Sequence, residues 1–165
     1  MKHFICLVTL LLSGLCQAQE WSVYTHSMGN QSVLQDGQLR GREHAGKRAF
    51  YLELVHLLLA DLGTPLPIRE VPLARGLAQL KEHNNVVLFN LSQTPERQAL
   101  AHWIGPLLTE TDYLYESSLR PTGIHTLKDG QNLAVCVLNG GNHDEQLSKA
   151  GFTQLIRNSS YSNCL

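Results

Sequence analysis

The sequence predicts an α/β protein whose sheet is mostly parallel. Segments typical of strands and helices alternate along the first half of the chain, where one apolar run has the length of a strand, and a second such run follows near the C-terminus. Alternating strands and helices build parallel sheets, because each helix returns the chain to the edge where the next strand begins. We therefore expect helices on the crossovers between neighbouring strands.

Two elements are predicted before the first helix. Residues 21–26 (WSVYTH) alternate apolar and polar side chains and are rich in β-forming residues, which indicates a strand. The glycine-rich residues 27–47 predict a long loop or a hairpin, and long loops in compact domains are often functional.

The next four elements alternate between helix and strand. Residues 49–62 predict a helix that ends at Gly63. A strand over 68–71, a helix over 73–82 and a strand over 85–91 follow, and the last is apolar enough for a buried parallel strand. The first helix is expected to place its apolar residues on one face and its polar residues on another: Phe50, Leu54, Leu57 and Leu58 against Glu53, His56, Ala60 and Asp61.

Shorter signals predict the second half of the chain. Thr94 and Pro95 indicate a helix start, because threonine caps helices and proline is favoured at their first position. The remaining predicted elements are an extended segment over 107–115, a connector over 120–129, a strand over 133–138, a helix over 144–150, a strand over 152–156 and a cap for a final helix at Ser159 and Ser160.

The N-terminus predicts a secretory signal peptide over residues 1–18. Lys2 precedes a short apolar run, Ser13 and Gly14 interrupt it, and small residues lead to Ala18. The run is shorter than the roughly 20 residues that span a bilayer. No later stretch of the sequence is long and apolar enough to do so. We therefore expect a periplasmic protein without a membrane span once the leader is removed.

Charge and motifs exclude several classes of partner. The full chain has 13 Lys and Arg against 14 Asp and Glu, and loss of Lys2 makes it more negative, which disfavours nucleic acid. We expect no cofactor and no metal, since the sequence contains neither CxxC nor HExxH. His143, Asp144 and Glu145 are more typical of a capped helix start than of a ligand set.

Two cysteines remain after the leader, Cys136 and Cys164. In an oxidising compartment such a pair is expected to form one disulfide. The alternative is a pair of buried free thiols.

A candidate anion site follows the strand predicted over 85–91. Residues 90–97 combine a side-chain amide, two hydroxyls, backbone N–H groups at a helix start and an arginine. Ligands gather at the carboxyl ends of parallel strands, and a guanidinium can hold a carboxylate with two charge-assisted hydrogen bonds. The pattern predicts a site for a small carboxylate. The alternative is that Arg97 is a solvated surface residue and that Thr94 merely caps the helix.

Several motifs together resemble the N-terminal part of a type II periplasmic solute-binding protein of the kind that serves amino-acid ABC importers. They occur in the expected order and span most of residues 20–160: WSVYTH, FYLELVHLLLADLG, the Pro72-x-x-Arg75 helix start, Ser92-x-Thr94-x-x-Arg97, WIGPLLTETDYLY and Leu127–Gly130 before LAVCVL. The resemblance implies a lobe with a mostly parallel sheet, followed by an incomplete second α/β lobe.

The resemblance also implies which residues bind the ligand. Arg97 is expected to hold the α-carboxylate, with Ser92 and Asn90 as neighbouring hydrogen-bond donors. For Tyr24, packing is as plausible as contact with the ligand. For Arg75, a solvated position on the helix is as plausible as a position in the cleft. The complete set of predicted ligand-binding residues is Arg97, Ser92, Asn90, Thr94, Tyr24, His26 and Arg75.

The implied organisation is a signal peptide over 1–18, lobe 1 over 19–118 and part of lobe 2 over 119–165. Members of this family are longer, and their chain returns from the second lobe to the first. The sequence stops before that return, so we expect a C-terminally truncated form of such a protein.

The resemblance predicts a non-enzymatic protein that captures a small polar carboxylate ligand, an amino acid, for the membrane subunits of an ABC importer. Two alternatives stay open. One is a periplasmic sensor or orphan receptor. The other is a dehydratase-like enzyme on the same fold, for which Glu70, Glu96 and His26 are the candidate acid–base residues.

Overall fold

The computed structural model describes residues 20–164, so the leader predicted over 1–18 lies outside the described residues. Within this range the chain has a mixed α/β fold with parallel sheets, as the sequence predicts. The strands are β1 Ser22–Thr25, β2 Ser32–Gln35, β3 Gln38–Gly41, β4 Ile68–Glu70, β5 Val86–Leu88, β6 Ala134–Leu138 and β7 Gln154–Asn158. The helices are α1 Lys47–Asp61, α2 Leu73–Glu82 and α3 Asn142–Lys149.

The first lobe, comprising β1 to β5 with α1 and α2, is built on a three-stranded parallel sheet in the order β4-β1-β5. Val23 in the central strand lies in register with Ile68 on one side and Val87 on the other. α1 lies between β1 and β4 in the chain, and α2 between β4 and β5, as parallel pairing requires. Val23 and Ile68 pack with Met28, Leu52 and Leu59 in the core of this lobe.

Residues 27–47 contain a hairpin rather than a long loop, because β2 and β3 pair antiparallel. The hairpin docks on α1 through polar contacts. Glu53 Oε1 accepts hydrogen bonds from Arg40 Nε (3.0 Å) and from the N–H of Gly41 (2.7 Å). The Arg40 guanidinium lowers the pKa of the Glu53 carboxyl. His56 Nε2 donates to the carbonyl of Leu39 at 2.8 Å.

The predicted apolar face of α1 is wrong. Phe50, Leu57 and Leu58 are 62, 68 and 48% exposed, and Leu54 is half-buried. The buried residues of the helix are instead Ala49, Leu52 and Leu59. α1 is apolar around most of its circumference, so a 3.6-residue period does not distinguish one buried face. Hydrogen bonding to the hairpin fixes the side that carries Glu53 and His56.

The second lobe consists of two parallel strands, β6 and β7, joined by α3. Val137, Leu147 and Phe152 form its small core. A disulfide joins Cys136 in β6 to Cys164 in a 3-10 turn over Tyr161–Cys164, with the two Cα atoms 5.5 Å apart. The predicted disulfide is therefore present, and the cap predicted at Ser159 and Ser160 is followed by this turn alone.

The extended segment predicted over 107–115 forms no strand. Tyr113 and Tyr115 are 70 and 90% exposed, and their ring centroids lie 6.5 Å apart. The segment joins none of the sheets.

Removing the disulfide should destabilise the protein. In the double variant Cys136→Ser, Cys164→Ser the unfolded chain regains the entropy of a loop of 28 residues. We expect a loss of about 3–4 kcal/mol in the free energy of unfolding. Urea unfolding followed by circular dichroism measures this loss. Wild-type protein unfolded under a reductant should show the same loss, and an unchanged midpoint in both samples would contradict the prediction.

Candidate functional site

Arg97 lies in a single 3-10 turn, Pro95–Arg97, rather than at the start of an α-helix. Thr94 precedes the turn in an extended conformation, and Pro95 occupies its first position. Arg97 is only 2% exposed. The predicted helix start is therefore present only as this 3-10 turn, without a side-chain cap from Thr94, and so short a turn has little dipole to offer an anion. Any anion recognition here depends on the guanidinium itself.

The Arg97 guanidinium joins the segment after β5 to the second lobe. Nη2 donates to Glu145 Oε1 at 2.6 Å and to the carbonyl of Gly140 at 2.8 Å, both in the second lobe. Nε donates to the same Glu145 oxygen at 3.2 Å, and Nη1 donates to the carbonyl of Ser92 at 3.2 Å. The other Glu145 oxygen, Oε2, accepts from the Thr94 hydroxyl at 3.3 Å. A carboxylate is thus held by an arginine and a threonine, which we call the carboxylate grip.

The carboxylate grip is largely removed from water. The exposed fractions of the Arg97 and Glu145 side chains are 3 and 28%. A buried guanidinium is tolerated only when its hydrogen bonds and its charge are satisfied. Glu145 supplies the charge, and two carbonyls complete the hydrogen bonding. Removing one partner of such a pair typically costs about 3–5 kcal/mol, because the other charge stays buried.

The turn before α3 places Gly140 and Glu145 against Arg97. Gly140 has a positive φ of 67°, which favours glycine, and a Cβ on Gly141 would lie 2.9 Å from the carbonyl oxygen of Leu138. Asp144 Oδ2 accepts from the N–H of Gly140 at 3.0 Å, and Asp144 Oδ1 accepts from Arg157 Nε at 2.9 Å. Burial alone raises the pKa of Asp144, but the bonds from Arg157 and Gly140 outweigh it and lower that pKa.

His26 lies beside the carboxylate grip as a neutral imidazole. Its Nε2 donates to the carbonyl of Asn90 at 2.9 Å, so Nδ1 is the acceptor for the Ser27 hydroxyl at 3.1 Å. Burial, reinforced by the positive charges of Arg48 and Arg97, lowers the pKa of His26 to about 4. Asn90 adopts a left-handed conformation with φ of 64°, which asparagine tolerates better than most residues.

The predicted ligand-binding residues divide into three groups. Arg97 and Thr94 meet at one carboxylate, and Ser92 contributes its carbonyl rather than its hydroxyl. His26 and Asn90 bond to each other beside them. Two residues are not brought into these contacts. Tyr24 is half-buried in β1, in register with Arg69 and Leu88, and Arg75 is exposed on α2.

Four residues at the junction of the lobes were not predicted from the sequence: Glu145, Gly140, Arg48 and Tyr161. Asp144 and Glu145 together indicate a helix start. Nothing in the neighbouring sequence indicates that Glu145 pairs with an arginine elsewhere in the chain. Arg48 Cζ lies 5.5 Å from the centroid of the Tyr161 ring. The Tyr161 hydroxyl lies 3.1 Å from Nδ1 of His143, whose Nε2 lies 3.0 Å from Asp112 Oδ1.

Other kinds of site find little support in the described part of the chain. Over residues 20–164, no group of three or more His, Cys, Asp or Glu residues could hold a metal ion. None of the helices in that range has the length and apolarity needed to cross a bilayer. A cavity of about 160 Å³ lies elsewhere, in the first lobe, and shares no residue with the predicted site. Its lining is Gln38, His56, Leu59, Pro65, Leu66 and Pro67.

The burial of His26 predicts a pH dependence of stability. The unfolded chain takes up a proton at His26 below pH 6.5, whereas the folded chain does so only near pH 4. Stability should therefore fall as the pH decreases through this window. Between pH 7 and pH 5 we expect a loss of about 2 kcal/mol from this group. Urea unfolding of wild type and His26→Gln at both pH values measures it, and equal losses in the two proteins would contradict the assignment.

A scan against protein-family models matches no family, and a search of curated proteins finds no match. A solved structure described as "An ancestral arginine-binding protein bound to arginine" aligns with a TM-score of 0.60 and 16% identity. The alignment covers 87% of this chain and 62% of the other. At this identity the likeness concerns the fold alone. The chain therefore shares the α/β fold of this binding protein and spans about three fifths of the length of this structural neighbour.

Proposed function

We propose that the chain is an exported solute-binding protein that captures a small ligand, an amino acid, by its carboxylate at the junction of two lobes. The observation that supports this most directly is the position of Glu145. Its carboxylate rests on Arg97 and Thr94, two residues that the sequence predicts for a ligand carboxylate.

The side chain of Glu145 is an example of a carboxylate bound by Arg97 and Thr94. One oxygen accepts two N–H groups of a guanidinium and the other accepts a hydroxyl. A ligand carboxylate in the same place would make the same charge-assisted bonds. Because Glu145 belongs to the chain, the ligand has to displace it, and the displaced side chain is already 28% exposed and can turn toward water.

The two partners of the carboxylate grip lie in different lobes. We propose that lobe 1 spans 19–118 and lobe 2 spans 119–165, so Arg97 and Glu145 lie on opposite sides of the boundary. Exchange of Glu145 for a ligand then alters the contact between lobes, as in proteins whose lobes close around a ligand. The structural neighbour binds arginine, which makes arginine the first ligand to test. Delivery to the membrane subunits of an ABC importer is the role we propose for the bound form.

The candidate acid–base residues support binding rather than catalysis. Glu70 Oε1 accepts a hydrogen bond from the N–H of Met28 at 2.8 Å, and Glu96 pairs with Lys149. Both ring nitrogens of His26 are engaged, and burial keeps the pKa of His26 near 4. A carboxylate with one partner keeps further lone pairs, so for Glu70 and Glu96 these contacts favour a structural role without removing their capacity to accept a proton.

Arg97→Lys should weaken ligand binding while keeping the positive charge. The lysine ammonium cannot reproduce the paired N–H donors of the guanidinium. We expect the affinity for the best amino acid found by a thermal-shift screen to fall about 10- to 100-fold. Isothermal titration calorimetry measures the change. The matched control is Arg69→Lys, because Arg69 is exposed in β4, away from the carboxylate grip. Equal affinities for wild type and Arg97→Lys would contradict the proposed role.

Glu145→Gln should strengthen binding of a carboxylate ligand. The amide keeps the size of the side chain but loses the charge that competes for Arg97. We expect the dissociation constant to decrease about 10-fold, the value of one charge-assisted hydrogen bond. The control is Glu82→Gln at the exposed end of α2. Weaker binding by Glu145→Gln would show that Glu145 contacts the ligand instead of competing with it.

A further inference from the structure

Two ion pairs join α3 of the second lobe to the turn Pro95–Arg97. Arg97 binds Glu145, and Glu96, the preceding residue of the turn, pairs with Lys149. Glu145 and Lys149 are four residues apart in α3, so their side chains lie on the same side of the helix. Two consecutive residues of the turn therefore hold one side of α3, and opposite charges face each other in both pairs.

The two ion pairs differ in their exposure to water. The side chains of Arg97 and Glu145 are 3 and 28% exposed, whereas those of Lys149 and Glu96 are 61 and 44% exposed. Dissolved salt screens exposed charges strongly and buried charges much less. An exposed ion pair contributes little to stability by itself. Its effect is therefore to be sought on the buried pair beside it.

The contacts described between α3 and this turn are hydrogen bonds and ion pairs. Within residues 20–164, neither of the two apolar cores includes a residue of the other. Inside its own lobe α3 is fixed by Asp144, whose carboxylate accepts from Arg157 in β7. A movement of α3 away from the turn therefore carries the second lobe with it.

We propose that Glu96 and Lys149 are positioning residues whose ion pair is a latch: it holds α3 against the turn Pro95–Arg97 and so keeps Glu145 on Arg97. While the latch is closed, the Glu145 carboxylate stays at a high effective concentration beside Arg97 and soon re-forms any bond that breaks. Salt opens the latch first, because it is the more exposed of the two pairs. A further consequence, that the latch helps Glu145 to compete with a ligand carboxylate, rests on the proposed function.

Hydrogen exchange of the Arg97 Nε–H tests the latch, because this group donates to Glu145 Oε1 and exchanges when the bond opens. Arginine Nε–H groups give their own signals in a ¹⁵N NMR spectrum, and the variant Arg97→Lys identifies the signal of Arg97 by its loss. Glu96→Gln and Lys149→Gln should each raise the exchange rate about 2- to 5-fold at low salt. The double variant should raise it no further than either single variant, because each change removes the same pair.

Reversal of the charges separates the latch from a general effect of either residue. Glu96→Lys should raise the rate above that of Glu96→Gln, because two like charges then face each other. The double variant Glu96→Lys, Lys149→Glu should bring the rate back to within about 2-fold of wild type. Sodium chloride at about 0.5 M should raise the wild-type rate to that of Glu96→Gln and change Glu96→Gln itself much less. Glu43→Gln is the control, since Glu43 is 88% exposed and pairs only with its neighbour His44, and its rate should equal that of wild type.

Several outcomes overturn the inference. If the neutral variants leave the rate unchanged, or if their effects multiply in the double variant, the pair does not act on Glu145. A reversed pair that exchanges as fast as Glu96→Lys has the same meaning. In these cases the proposed function stands, because no ligand takes part in the experiment. If the Arg97 Nε–H of wild type exchanges as fast as that of free arginine, the Glu145 contact is not formed, and the main support for the proposed function is lost together with the latch. Circular dichroism shows whether each variant is folded, and the salt series on wild type tests the latch if one is not.

Discussion

The burial of the Arg97 guanidinium is the constraint on which the arrangement of the two lobes depends. At 2% exposure it cannot rely on water, so four hydrogen bonds from this side chain reach the carboxylate of Glu145 and the carbonyls of Ser92 and Gly140. Two of these three partners lie in the second lobe. The buried charge of Arg97 is therefore balanced by a carboxylate from the second lobe, 48 residues further along the chain.

The second lobe is small, and its stability comes from several short-range devices. Its core contains Val137, Leu147 and Phe152. Asp144 joins the turn before α3 to Arg157 in β7, and the disulfide closes β6 against the C-terminal turn. Such supports are typical of units that bury too little apolar surface to fold on hydrophobic contacts alone. They also fix the position of Glu145, because Asp144 is its neighbour in the helix.

Local sequence patterns predict most helices and strands, but they do not predict contacts between residues that are far apart in the chain. α2 begins and ends where its apolar spacing predicts, since one side alone is apolar. The sequence predicts the wrong buried face for α1 because this helix is apolar around nearly its whole circumference. Only its hydrogen bonds to the hairpin decide which side is buried. Arg97 was identified by its residue type and its place after a strand. Its partner Glu145 lies 48 residues away, and no local signal connects the two. Arg48 was missed for the same reason.

The position of Cys164 has a consequence for when the junction becomes complete. Tyr161, which lies against Arg48, belongs to the same four-residue turn as Cys164, and the covalent bond to Cys136 anchors that turn on β6. Without the disulfide, the turn that carries Tyr161 would be held by the chain and by the contacts of Tyr161 with His143 and Arg48 alone. If the junction is the ligand site that we propose, formation of the disulfide helps to complete the binding surface as well as the fold.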